Sequence, residues 1–210
     1  MSITQTTAAA ATETSGIFAE AVGGLATIAL SIIALAGTAP DFLLAIATMV
    51  FGAALLIEGT SIVTEYVLAA VPGAFGLAAS GLAAVFLAGL TGIILGVLSL
   101  LGLHAGVLTS AAVITFGSAL LLNSSAILNL YSIKAPAGSE FIMGGAVGTA
   151  VAQALAGISA LVLGILAITG NQPMSLNLVA LLVMGAAILV TGNGMNNAVI
   201  NMVRRIPERP

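Results

Sequence analysis

Residues 66–133 and 141–203 contain no charged side chain. Each run is long enough for two membrane spans, because a spanning helix takes about 20 consecutive apolar residues. A chain with two such runs cannot keep its surface in water. Of its 210 residues 60% are hydrophobic and 5% charged, with a mean hydropathy of +1.25, whereas soluble domains carry about 25% charged residues. The lipid bilayer is therefore its expected surroundings and first partner. A closed barrel is disfavoured, because the apolar residues run on continuously and do not alternate.

Turn-forming clusters divide the chain at Gly37-Thr38-Ala39-Pro40-Asp41, Pro72-Gly73 and Gly102-Leu103-His104-Ala105-Gly106. Two more follow at Ala135-Pro136-Ala137-Gly138-Ser139-Glu140 and Gly170-Asn171-Gln172-Pro173. Six helices are predicted, at 17–37, 42–67, 79–102, 107–132, 144–170 and 175–202. Residues 1–16 form a polar Ala/Thr-rich tail without Lys or Arg, so the basic n-region of a secretory signal and the arginines of a transit peptide are missing. The first hydrophobic helix is expected to direct insertion. Residues 17–204 make the transmembrane domain and 205–210 a C-terminal tail.

The segments FGAALLIEGTSIV from Phe51, FGSALLLNSSAIL from Phe116 and MGAAILVTGNGMN from Met184 align without gaps at offsets of 65 and 68 residues. The same offsets superpose Gly24/Gly89/Gly157, Gly37/Gly102/Gly170, Gly52/Gly117/Gly185 and the turn position Pro40/Ala105/Pro173. The predicted fold is an all-α integral membrane protein of six transmembrane helices, arranged as three helical-hairpin repeats at about 17–70, 79–134 and 144–203. Each hairpin returns the chain to its starting side, so all three run in the same direction, unlike the inverted repeats of many transporters.

A Gly-rich first helix, a turn with Pro and a second helix reading FGAALLIEG, three times over residues 17–204, resembles the HdeD-type acid-resistance membrane proteins, a short-repeat family of unknown function. The resemblance implies a six-span, multi-pass protein of the prokaryotic inner membrane with a loose link to acid or envelope stress.

All four basic residues, Lys134, Arg204, Arg205 and Arg209, follow even-numbered helices. The positive-inside rule then places both termini in the cytoplasm.

Glu58 is the most informative single residue. Counted from the first hairpin turn, Glu58 and Glu20 lie at similar depth, about 28 Å along their helices and near the inner edge of the hydrocarbon core. They read either as a protonatable pair facing an internal cavity, a proton or cation site, or as interfacial groups in contact with water. The repeat offsets match Glu58 with Asn123 and Thr191, Glu20 with Val85 and Gln153, and Thr64 with Asn129 and Asn197. The inner halves of the even helices are thus polar, either as hydrogen-bonding glue between packed spans or as the lining of a vestibule. Gly24, Gly52, Gly89, Gly117, Gly157 and Gly185 are expected at helix contacts, and Gly92/Gly96 and Gly144/Gly148/Ala152 form small-residue rows.

His104, the only histidine, falls in an outer turn, as an exposed loop residue or an outer-face pH sensor. Without a second His or any Cys, no metal or haem site is expected. No Walker A loop, GxSxG elbow or HExxH occurs, so neither catalytic residues nor a cofactor are expected. The net charge of −3 with no basic face leaves nothing to bind nucleic acid. The function expected is non-enzymatic, by assembly with itself or with other membrane subunits. The alternative is a small channel or transporter using the polar layer around Glu58, although the outer halves, such as LLAIATMVFGAALL, lack a continuous polar stripe.

Overall fold

The computed structural model describes the backbone of residues 21–69, 75–134, 140–170 and 172–204, and the side chains of residues 21–59, 83–126, 128, 147–170 and 172–191. Among the described residues there are six helices and no strand. They are α1 (Ala21–Leu35), α2 (Pro40–Ala69), α3 (Phe75–Leu100), α4 (Ala105–Lys134), α5 (Glu140–Ile168) and α6 (Pro173–Arg204). Five of them, α2 to α6, contain stretches long and apolar enough to cross a bilayer. The chain is a helical, multi-pass integral membrane protein.

The helices start earlier than the turn residues imply. Helices α2, α4 and α6 begin at Pro40, Ala105 and Pro173, two residues before the predicted starts. Proline is at home in the first turn, because its missing N–H would find no helical partner there and its φ is already helical. Helices α3 and α5 begin at Phe75 and Glu140, about one turn early. A helix accommodates glycines such as Gly76 and Gly144 at a modest cost.

In the first two hairpins the first helix ends in a Schellman arrangement. Gly37 and Gly102 donate to Ala34 and Ser99 at 3.0 Å, while Thr38 and Leu103 donate back to Ile33 and Leu98 at 3.4 and 3.3 Å. Gly170 donates to Ala167 at 3.2 Å. These glycines have φ of 92°, 81° and 90°, the left-handed region that a side chain resists. The residues just before the second helices, Ala39, His104 and Gln172, also sit there, at φ 38°, 41° and 45°. Since a Cβ on Gly102 would meet nothing within 4 Å, Gly102→Ala tests backbone strain alone. It is expected to destabilise the protein by about 1 kcal/mol, and Ala39→Gly, His104→Gly and Gln172→Gly to stabilise it by about 0.5 kcal/mol each, in thermal melts in detergent.

The centre belongs to α2, α4 and α6, which touch one another as well as the helices flanking them. Their buried residues recur at intervals of four and three: 44, 48, 51, 55 and 58 on α2; 109, 113, 116, 120 and 123 on α4; 177, 181, 184, 188 and 191 on α6. That average of 3.5 is the seam of supercoiled helices. The middle is apolar: Phe51, Phe116 and Met184, then Leu55, Leu120 and Ile188, are all fully buried. Phe51 and Phe116 meet edge to face with centroids 4.9 Å apart, and Gly92 on α3 makes room for the Phe116 ring.

Glycines let the outer helices close on this centre. A Cβ on Gly52 would lie 2.8 Å from the Gly89 carbonyl oxygen, one on Gly117 2.7 Å from that of Gly157, and one on Gly24 2.9 Å from that of Gly185. These three backbone contacts join α2 to α3, α4 to α5 and α6 to α1. Large apolar side chains such as Leu25, Leu87 and Leu155 point outward, 57%, 60% and 61% exposed.

Candidate functional site

Polar side chains occupy both ends of the three-helix centre. Along α2 the two ends, at Leu44 and Glu58, are separated by about 21 Å at 1.5 Å per residue.

At the end far from the hairpin turns, Glu58 of α2 is buried, 3% exposed, and meets Asn123 of α4 and Gln153 of α5, both fully buried. Asn123 Nδ2 donates to Glu58 Oε1 at 2.8 Å and to Gln153 Oε1 at 3.0 Å. Gln153 Nε2 donates to Glu58 Oε1 at 2.9 Å. One carboxyl oxygen thus takes two amide donors, the kind of satisfaction a carboxylate removed from water requires. The Asn123 Oδ1 accepts no hydrogen bond.

Of the five polar residues singled out from the sequence, three come together here. Thr191 stands at the corresponding level of α6, but its hydroxyl donates to the Ala187 carbonyl of its own helix at 3.0 Å. Glu20 lies outside the described residues, as do the side chains of Thr64, Asn129 and Asn197. Val85, the α3 counterpart of Gln153, is fully buried and apolar. Sequence position left Glu58 between a hydrated interface and an internal site; the described structure has it inside the bundle.

At the turn end a second cluster joins α6 to α4, and nothing in the motif reading singled it out. Asn177 Nδ2 donates to Ser110 Oγ at 2.9 Å and to Thr109 Oγ1 at 3.1 Å. Those hydroxyls in turn donate to the Gly106 and Ala105 carbonyls, each at 2.7 Å. The signal was present: the same offsets that align the glycines align Leu44, Thr109 and Asn177. An asparagine and a threonine one turn inside a membrane helix need partners, and those partners lie on facing helices at equal depth.

The remaining candidates are dispersed. His104 is exposed in its turn, and Asp41 is exposed in the first turn of α2. Among the described residues no three His, Cys, Asp or Glu side chains converge as metal ligands. Gly92 and Gly96 are buried within the chain, whereas Gly148 faces open space and Gly144 lies outside the described side chains.

The chain matches no protein-family model, no curated protein and no solved structure.

Proposed function

We propose that the protein is a six-span membrane protein of three same-direction hairpins, with both termini cytoplasmic, and that it works by assembly. It acts as a homo-oligomer or as an accessory subunit of a larger membrane complex, without catalysis. The observation that carries this reading is the filled centre. Phe51, Phe116, Met184, Leu55, Leu120 and Ile188 occupy the axis and the polar clusters at its ends join helices of the same chain, so the outward apolar belt is the working surface. A pore through the chain is not favoured, because a permeant ion would have to cross those apolar layers.

The three-hairpin part of the reading is supported by three left-handed glycine turns at equivalent positions and by three glycine contacts spaced at the repeat offsets. The resemblance to HdeD-type proteins, carried by FGAALLIEG and its two counterparts, supports a prokaryotic inner-membrane location and a role in stress.

Assembly is tested by purification from native membranes after chemical crosslinking, with native mass spectrometry as the readout. The expected result is a defined oligomer or a complex with other integral membrane subunits; a monomer alone at every crosslinker concentration would overturn the proposal. Topology is tested in this Cys-free chain with single cysteines. Ala39→Cys, His104→Cys and Gln172→Cys are expected to react with an impermeant maleimide added outside, and Ser139→Cys and Ile206→Cys only after permeabilisation. Outside labelling of Ser139→Cys would invert the topology.

A further inference from the structure

Among the described residues, the most exposed large apolar side chain sits in the turn between α3 and α4. Leu101 is 71% exposed there, and Leu103 beside it is 51% exposed. The repeat offsets supply an internal comparison. Ala36 and Thr38 stand at these two positions in the first hairpin, and Thr169 and Asn171 in the third. Each of those hairpins also holds at its turn a group that belongs in water, the exposed Asp41 in the first and the exposed Gln172 in the third. Between Ser99 and Thr109 the only polar side chain is His104. The two leucines continue a larger surface: Ile94, Val97 and Leu100 lead up to them along α3 and Val107 follows on α4, all exposed. The outward apolar belt thus runs without a break over this one turn.

We propose that the α3–α4 turn is a lipid anchor: Leu101 and Leu103 insert into the acyl chains of the leaflet that the hairpin turns face, while the other two turns stand in water. Apolar area left in water is unfavourable in proportion to its size, and the belt directly below this turn already meets acyl chains. Backbone groups entering lipid need partners. Here Gly102 and Leu103 donate to Ser99 and Leu98, and Val107 and Leu108 both donate to the His104 carbonyl at 3.0 and 3.2 Å, so the turn is largely bonded to itself. His104, with an apolar ring and polar nitrogens, suits the headgroup level. Insertion is therefore shallow, and a cysteine at His104 still meets an aqueous maleimide. Because the three turns occupy equivalent levels of the bundle, sinking one of them tilts the helices toward the α3–α4 side, within the roughly 20° common for spanning helices. The anchor requires neither a particular sidedness nor assembly.

Site-specific fluorescence of the full-length, Cys-free chain in phosphatidylcholine nanodiscs, where both faces are open to solvent, tests this. Leu101→Cys, Leu103→Cys, Thr38→Cys and Thr169→Cys each carry the same small dye. Phosphatidylcholine brominated on its acyl chains is expected to quench the dye in the two leucine variants roughly threefold more than in the two threonine variants, and aqueous iodide roughly threefold less. A second comparison leaves the dye off the leucines. With the dye at His104→Cys, the paired change Leu101→Thr and Leu103→Asn gives this turn the residues of the third hairpin. Iodide quenching is then expected to rise to the level seen with the dye at Gln172→Cys. Equal quenching of all four dyes by each quencher overturns the proposal, as does iodide quenching at His104→Cys that the paired change leaves unaltered. Shielding from iodide without quenching by the brominated lipid also overturns it, and identifies a second copy of the chain as the cover. Crosslinking reads assembly separately, so the two readings fail independently.

Discussion

Leucine at Gly52, Gly117 or Gly185 is expected to destabilise the protein by about 3 kcal/mol, the upper end of what overpacking costs. At each position even a Cβ would crowd backbone on the facing helix: the Gly89 carbonyl oxygen at 2.8 Å, that of Gly157 at 2.7 Å and that of Gly24 at 3.0 Å. Main chain cannot rotate aside as a flexible side chain can, so the helices must separate along their length. The close approach gains dispersion energy that lipid cannot replace, since acyl chains are as apolar as the helix surface. Gly148→Leu is the matched control. A Cβ there would meet nothing within 4 Å, and the change is expected within about 0.5 kcal/mol of the parent. Thermal or SDS-induced unfolding of the four variants measures both effects. Equal stability of the parent and the first three variants would mean that these glycines are not contact positions.

The second large effect lies in the Glu58 cluster and depends on which partner is removed. Asn123→Leu deletes one of the two amide donors on Glu58 Oε1 and puts an apolar side chain against the carboxyl in its place. The expected loss is about 3 kcal/mol, because a buried charge-accepting bond is broken from one side. Replacing both partners is expected to cost less than the sum of the two single changes. In a cycle with Glu58→Leu and Asn123→Leu, a coupling of about 1.5 kcal/mol is expected, within the range for residues in direct contact. Glu58→Gln retains shape and an acceptor oxygen, so it should leave assembly intact. Additive single changes would show that the hydrogen bond between Glu58 and Asn123 contributes nothing to stability.

Much of the architecture was legible without coordinates. Uncharged runs, interrupted by Gly and Pro clusters, marked helices and turns, because a bilayer demands long apolar segments whose backbone groups are satisfied internally. Gly37, Gly102 and Gly170 stood out as turn residues, since the left-handed end of a helix is where glycine is least strained. Helix ends were less legible. Pro40 and Pro173 looked like breakers but serve as first helical residues, and the sequence pattern does not separate those two uses of proline.

What the sequence determined by itself is the helical, membrane-embedded character of the chain and the positions of its turns, because these follow from local composition and from the cost of an unpaired backbone in lipid. What tertiary structure decided is which face of each helix looks inward. In a soluble protein a polar face marks the outside; here lipid and core are equally apolar, so Leu87 on the outer surface and Leu120 at the axis carry no distinguishing mark. The same ambiguity hid the meeting of Asn177 with Thr109 and Ser110, and it left open whether Glu58 faced water or amides. The partners of Gly24 and Gly157 were equally illegible, because a glycine's spacing says that something can come close but not which helix does. Those choices belong to the packing of α2, α4 and α6 around a shared axis, where side chains far apart in the chain reach the same depth and only direct contact selects among them.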